Sequence, residues 1–341
     1  MKYINLVSDT VTRPCSEMLK AMMDATVGDD VFGEDPTVNK LQSMAAEMFG
    51  KDAALFCPSG TMTNQIAIKM HTEPLDDIIC DVDSHIYQSE TGGYAFHSGA
   101  GVTLIQGQHG KINADQIKSA VKPGFDWQTT SKLVVLENTC NKGGGSYYNL
   151  NEVKDIADIC HKHQLKLHLD GARLFNALVE TQEKTQAWGQ YFDTVSICLS
   201  KGLGAPVGSL LIGEHETIRK ARRFRKVMGG GMRQAGFMAA AGIYALENNI
   251  PKLKIDNQRA LEIGEILKTC SFTKEIKPVQ SNIIIFELQE YIQADDFTTM
   301  LKSNGILAVP FGGNTIRFVF HLDISDEMMQ QIPQILKSLS F

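Results

Sequence analysis

Two phrases in this chain carry side chains that could do chemistry together. Leu167-His168-Leu169-Asp170-Gly171-Ala172-Arg173 offers an acid and an arginine, and Cys198-Leu199-Ser200-Lys201-Gly202-Leu203-Gly204-Ala205-Pro206 offers a lysine. Each phrase closes an apolar run, Leu165 to Leu169 and Thr194 to Leu199, that reads as a buried parallel strand. The runs therefore deliver Asp170 and Lys201 to the carboxyl edge of a sheet, where open α/β proteins bind ligands. A lysine that forms a Schiff base and an aspartate that pairs with a pyridinium nitrogen are the two groups that pyridoxal 5'-phosphate requires of its protein. Either phrase alone also fits a solvated Asp-Gly turn or a surface lysine. It is the pair, with a helix and a strand between, that points to the cofactor.

Two further segments suit the same ligand. Pro58-Ser59-Gly60-Thr61-Met62-Thr63-Asn64 joins a strand to a helix. Gly60 lets backbone approach an anion, and the N–H groups of the helix start, with the Thr61 hydroxyl, suit a phosphate. Asp81-Val82-Asp83-Ser84-His85 closes another strand, and His85 could lie flat on a pyridine ring and move protons, or be an ordinary loop histidine. His161 and His163 end a helix and read as solvated, whereas His168 alternates inside a strand and reads as a core residue. No dinucleotide fingerprint is present, because Val207 stands where Gly202-x-Gly204 would need its third glycine.

The elements that must position these residues alternate between strand and helix, which implies an α/β sheet with helices on both faces. Strands are expected at 53–57, 77–81, 102–105, 132–137 and 208–212, besides the two above. Asp35-Pro36 opens a helix that Gly50 stops, and Asn149 with Glu152 forms a capping box for a helix over 150–163. After Asn248-Asn249-Ile250-Pro251 the rhythm changes to a long helix, short strands at 283–287 and 315–320, and helices at 295–303 and 326–338. This divides the chain into a large domain, 1–248, and a small C-terminal domain, 249–341. With 341 residues, 43% of them hydrophobic and 21% charged, the composition is that of a globular enzyme with a sizeable core. A net charge of −6 argues against a nucleic-acid binder, and the basic run Arg219 to Lys226 reads as a solvated helix face. No stretch is long and apolar enough for a membrane helix, the N-terminus lacks a signal pattern, and the seven cysteines read as reduced thiols of a cytoplasmic protein.

Five phrases together resemble the low-specificity L-threonine aldolases: Ser8 to Pro14, Gly33 to Asn39, the 167–173 phrase, Ser200-Lys201-Gly202, and Gly229 to Gly236. The resemblance runs from about Ser8 to Asp323. It implies a PLP-dependent transferase-like (fold type I) large domain with a mixed, mostly parallel sheet, a small α+β C-terminal domain, and a homotetramer with shared active sites. It further implies that Lys201 is the Schiff-base lysine, that His85 stacks on the cofactor and that Asp170 meets the ring nitrogen. Gly60 and Thr61 would hold the phosphate, joined across a subunit boundary by Lys226 and Arg233. Ser8, Arg173 and Arg317 would bind the carboxylate of an amino-acid substrate, with Arg173 also beside the cofactor. The implied reaction cleaves L-threonine, L-allo-threonine or a related L-3-hydroxy-α-amino acid to glycine and an aldehyde.

Three positions depart from the family pattern. Phe32 stands where relatives usually carry tyrosine, Trp127 falls where well-known relatives have an active-site histidine, and Cys140 follows Leu136-Glu137-Asn138-Thr139 where histidine is common. Cys140 reads as a plain loop thiol or a reactive one. A Trp127 platform would favour an aromatic substrate such as phenylserine. β-Elimination on the same cofactor, and a PLP-binding protein without turnover, are the alternative readings.

Overall fold

The structure, a computed structural model, describes residues 3–339. Its centre is a seven-stranded sheet in the order Ala53–Cys57, Ser209–Gly213, Thr194–Cys198, Lys166–Gly171, Thr130–Glu137, Asp76–Asp81, Gly101–Ile105. The last five strands of that order run parallel. Ser209–Gly213 is antiparallel to both neighbours, and these two reversals turn Ala53–Cys57 back into the direction of the parallel set. The strand ending at Cys57 therefore opens onto the same edge as those ending at Asp81, Glu137, Gly171 and Cys198. The reversal starts at Gly208, whose φ of +119° disfavours a side chain and where a Cβ would lie 2.4 Å from the Phe56 ring. Burial is continuous along Thr194–Cys198 and Ser209–Gly213, as expected of strands covered on both faces.

Helix boundaries follow local chemistry. Asp35 caps Pro36–Phe49 by accepting from the N–H groups of Thr37 and Val38, and Gly50 ends it at φ +62°. Val38, Leu41, Ala45 and Phe49 turn inward to the main core. The Asn149–Glu152 capping box opens Leu150–Lys162 as its sequence implies. The helix Ser16–Met23 and the strand Thr273–Ile276 carry no such signal and are evident only in the fold.

The C-terminal part has its own four-stranded antiparallel sheet, in the order Val309–Pro310, Thr315–Val319, Ile283–Leu288, Thr273–Ile276. Phe272, Phe286, Phe297 and Phe318 pack in its core. The N-terminal strand Ile4–Asn5 pairs with Ile306–Leu307, and Ile4 and Leu6 join that same core. The chain then crosses to the large sheet through residues 7–12, and that crossing proves central to the site.

The run from Arg219 to Lys226 is not uniformly solvated, because Arg225 is 2% exposed. Its guanidinium meets the Asp30 carboxylate at 2.6 Å and the Phe56 carbonyl at 2.7 Å. Ile218, Ala221 and Arg225 lie on one helical face, so the face turned inward carries a charge with its partner.

Candidate active site

The carboxyl edge of the large sheet gathers most of the residues singled out in the sequence. Asp170, one residue before the end of its strand, lies opposite Glu137 of the neighbouring strand. Lys201 follows the adjacent strand, and nothing among the described residues hydrogen-bonds its ammonium. His85 starts the short helix beyond Asp81, and its backbone N–H donates to Glu137 at 2.8 Å.

Arginines meet on the crossing segment. Asp9 is fully buried and takes Arg173 in a two-bond clamp, Nε to Oδ2 and Nη2 to Oδ1, both 2.7 Å. Burial by itself would raise the Asp9 carboxyl. The Arg173 guanidinium, helped by Lys201 and Asn282, outweighs it and holds the pKa at about 2. Arg317, from Thr315–Val319, donates to the Val7 carbonyl at 3.0 Å and to Asn141 at 2.9 Å, while its buried Nε has no partner. Burial first, then the like charge of Arg173, lowers Arg317 to about 10. Ser8 lies between these contacts as the cap of the Asp9–Val11 turn, its Oγ accepting from Thr10. Ser8, Arg173 and Arg317 are thus drawn together from the two ends and the middle of the chain.

A second cluster surrounds Asp170. Asn64, in the helix Gly60–His71, donates from Nδ2 to Asp170 at 2.7 Å and to Glu90 at 2.8 Å. Glu90 in turn meets His85 Nδ1 at 2.9 Å and Gln65 at 2.6 Å. Burial pulls the His85 imidazole down, but Glu90, Asp170 and Glu137 overcome it and raise its pKa. Burial, then the Asp170 charge, raises the Glu137 carboxyl. Although His85, Glu90 and Asp170 lie close enough to share an ion, Asn64 bridges the two acids.

At the start of the Gly60–His71 helix, Ser59 caps the Met62 N–H, leaving those of Gly60 and Thr61 without a described partner. Ser209 Oγ is buried, unpartnered and 3.6 Å from where a Cβ on Gly60 would stand. Lys226 and Arg233 are exposed; Arg233 pairs with Asp29 at 2.7 Å and lies over the Phe32 ring. Neither joins the cluster of its own chain, and Phe32 is turned outward at 72% exposure.

The other departures also gain a place. Trp127 stacks on Phe125 at 4.8 Å, in the loop leading into Thr130 at the amino end of its strand. The strand to Glu137 spans roughly 23 Å, so Trp127 forms no platform over its own chain's cluster. Cys140 is buried with Sγ 3.1 Å from the Glu137 carbonyl, and burial pushes its thiol well above the usual range, which makes it an inert loop thiol. His163, expected to be solvated, is half-buried with Nε2 unpartnered. Sequence reasoning passed over Asp9, Asn64, Glu90 and Ser209. Asp9 lies inside the Ser8–Pro14 phrase and Asn64 closes the Pro58–Asn64 phrase, so both could have been found there; Glu90 and Ser209 carry no local pattern.

Comparison with known proteins agrees with this geometry. A family described as beta-eliminating lyase matches residues 5–290. The low specificity L-threonine aldolase of Escherichia coli strain K12 is 40% identical over 332 residues, covering 96% of this chain and 97% of that protein. This chain belongs to the low-specificity L-threonine aldolase family. Low-specificity L-threonine aldolase 1 of Arabidopsis thaliana is 37% identical, with 95% and 93% coverage. The solved threonine aldolase of Leishmania major shares the fold, with a TM-score of 0.84 at 24% identity over 98% of both chains. As expected for a threonine aldolase, the residues fit pyridoxal 5'-phosphate. There is an uncommitted ammonium at Lys201, a carboxylate at Asp170 for the ring nitrogen, and free donors at Gly60, Thr61 and Ser209 for the phosphate.

Proposed function

We propose that this protein cleaves L-threonine, L-allo-threonine and related L-3-hydroxy-α-amino acids to glycine and an aldehyde, with pyridoxal 5'-phosphate as cofactor. The observation that carries the reading is the convergence of Arg173 and Arg317 on residues 7–9, beside Lys201. When bound, the cofactor supplies an electron sink for the pair released as Cα–Cβ breaks. Lys201 would be its point of attachment, and Asp170 would hold the proton of the ring nitrogen and so keep that sink charged. His85, pinned at Nδ1 by Glu90, offers a flat imidazole to the ring face. Ser8, Arg317 and the guanidinium hydrogens of Arg173 that Asp9 leaves free hold the substrate carboxylate. Fixing the carboxylate in this way would orient the substrate for cleavage of its Cα–Cβ bond.

The same reading divides the chain after Asn248 and places it in the cytoplasm, where its seven cysteines stay reduced. It makes the active form a homotetramer in which Lys226 and Arg233, turned away from their own site, reach a neighbour's phosphate.

The test is an absorbance spectrum of the purified protein with glycine, L-threonine, L-allo-threonine and L-phenylserine, with aldehyde and pyruvate assayed in parallel. A visible cofactor band that shifts with glycine, and aldehyde release from threonine, are expected. Pyruvate without aldehyde would replace the aldolase with an eliminating lyase. A protein that takes up no cofactor would refute the proposal.

A further inference from the structure

We infer that Asn64 and His168 are positioning residues: with Thr194 they form a one-way hydrogen-bond chain that turns the donor side of the Asn64 amide to Asp170 and Glu90 at once. The inference rests on the reading above, in which Asp170 serves the cofactor nitrogen and Glu90 holds His85.

The direction of the chain follows from what each atom can do. Both partners of Asn64 Nδ2, at 2.7 and 2.8 Å, are carboxylate oxygens, so the nitrogen must face them. Oδ1 then points back to His168 Nε2 at 3.1 Å. An amide oxygen only accepts, so Nε2 carries the hydrogen and Nδ1 is left to accept. Thr194 presents two atoms to Nδ1, its Oγ1 at 2.9 Å and its carbonyl at 3.1 Å, and only the hydroxyl can donate. The Thr194 hydroxyl oxygen is then free to accept from His71 Nε2 at 3.0 Å. Every donor meets an acceptor from His71 to Asp170. The opposite His168 tautomer would donate from Nδ1 to Thr194 but set a ring lone pair against Oδ1, one bond where the Nε2–H form makes two; the Nε2–H form leaves the Thr194 carbonyl 3.1 Å from the Nδ1 lone pair.

The residues are suited to such a chain. Asn64 is 2% exposed and His168 fully buried. Burial first lowers His168 to about 4, which keeps the ring neutral with one donor and one acceptor. The chain joins three elements, the Gly60–His71 helix and the strands Lys166–Gly171 and Thr194–Cys198, and so fixes the helix in rotation against the sheet. At its active end one amide separates two buried acids with different tasks. Without it, Glu90 and Asp170 would face one another without a shared donor.

The test uses the full protein with and without cofactor. In wild type without cofactor, ring-nitrogen NMR of selectively labelled histidine is expected to show His168 as the Nε2–H tautomer at neutral pH; the Nδ1–H tautomer overturns the inference. Asn64→Leu and His168→Leu are expected to raise the Kd for pyridoxal 5'-phosphate by at least ~10-fold and to lower kcat more than they change KM for threonine. His168→Gln, whose amide nitrogen can stand where Nε2 does, is expected to restore the Kd to within ~3-fold of wild type. Folded Leu variants with unchanged Kd and kcat, or a Gln variant no better than His168→Leu, overturn it. Should the Leu variants fail to fold, the wild-type tautomer decides. Wild type that binds no cofactor removes the proposed function itself, an outcome distinct from any of these.

Discussion

Replacing Asp9 with asparagine tests how the crossing segment holds the site. The substitution keeps the shape but turns one oxygen into an amide nitrogen. In either orientation that nitrogen faces an Arg173 N–H, now 2.7 Å from its acceptor, and in one of them it also faces the Asn282 amide at 3.3 Å. In the folded protein the Asp9 pKa is about 2 against an ordinary 3.8. At neutral pH the native state therefore favours the charged form by about 2 kcal/mol. Because the folded pKa is depressed, this stability is present above pH 3.8 and is lost as pH falls through about 2. Leaving Arg173 buried without a counter-charge adds to the loss, and breaking a buried pair costs ~3–5 kcal/mol when nothing replaces the partner. Asparagine retains one acceptor, so a loss of ~2–4 kcal/mol at pH 7 is expected. Urea unfolding followed by circular dichroism measures it, in wild type, Asp9→Asn, Arg173→Met and the double variant. The two single losses should not add, with a coupling of ~1–3 kcal/mol. Strict additivity, or an Asp9→Asn variant within ~0.5 kcal/mol of wild type, would refute the argument that the clamp holds Arg173.

Three other outcomes are expected. Asp256 is buried with neither oxygen hydrogen-bonded among the described residues, and burial raises its pKa to about 8, so the folded protein binds a proton that the unfolded chain releases. Wild-type stability should then fall, relative to Asp256→Asn, by up to ~1.4 kcal/mol per pH unit between the ordinary carboxylate range and about pH 8; denaturation midpoints across that range measure the difference, and parallel curves would contradict it. Arg225→Met should cost ~3–5 kcal/mol, since it leaves the buried Asp30 carboxylate only the longer ion pair to Arg222 at 3.9 Å, and a melting temperature within a degree of wild type would show that Arg222 takes over as its partner. Lys201→Ala should abolish the visible cofactor band and aldehyde release while leaving the circular dichroism spectrum unchanged, because nothing among the described residues hydrogen-bonds its ammonium. A retained band would move the attachment point elsewhere.

Much of the scaffold could be read from local pattern. The apolar runs before Asp170 and Lys201 became adjacent parallel strands, and the caps at Asp35 and Asn149 began helices where expected. These signals act over a few residues, through backbone hydrogen bonds and the periodicity of burial, and so they survive in the linear order. Arg225 shows the limit. On a helix rich in Arg and Lys it has the composition of a solvated face, and its burial depends on Asp30 arriving from far along the chain.

What the sequence by itself determined was which reactive groups exist and to which sheet edge the strands carry them: Lys201, Asp170, His85 and the helix start at Gly60. Only the tertiary structure decided how those groups are held and charged. Asp9 reaches Arg173, Arg317 reaches Asn141 and Val7, and Asn64 reaches Asp170 and His168, each across more than a hundred residues of chain. A charge or a hydrogen bond responds to distance and burial in space, and neither has a period that a sequence could display.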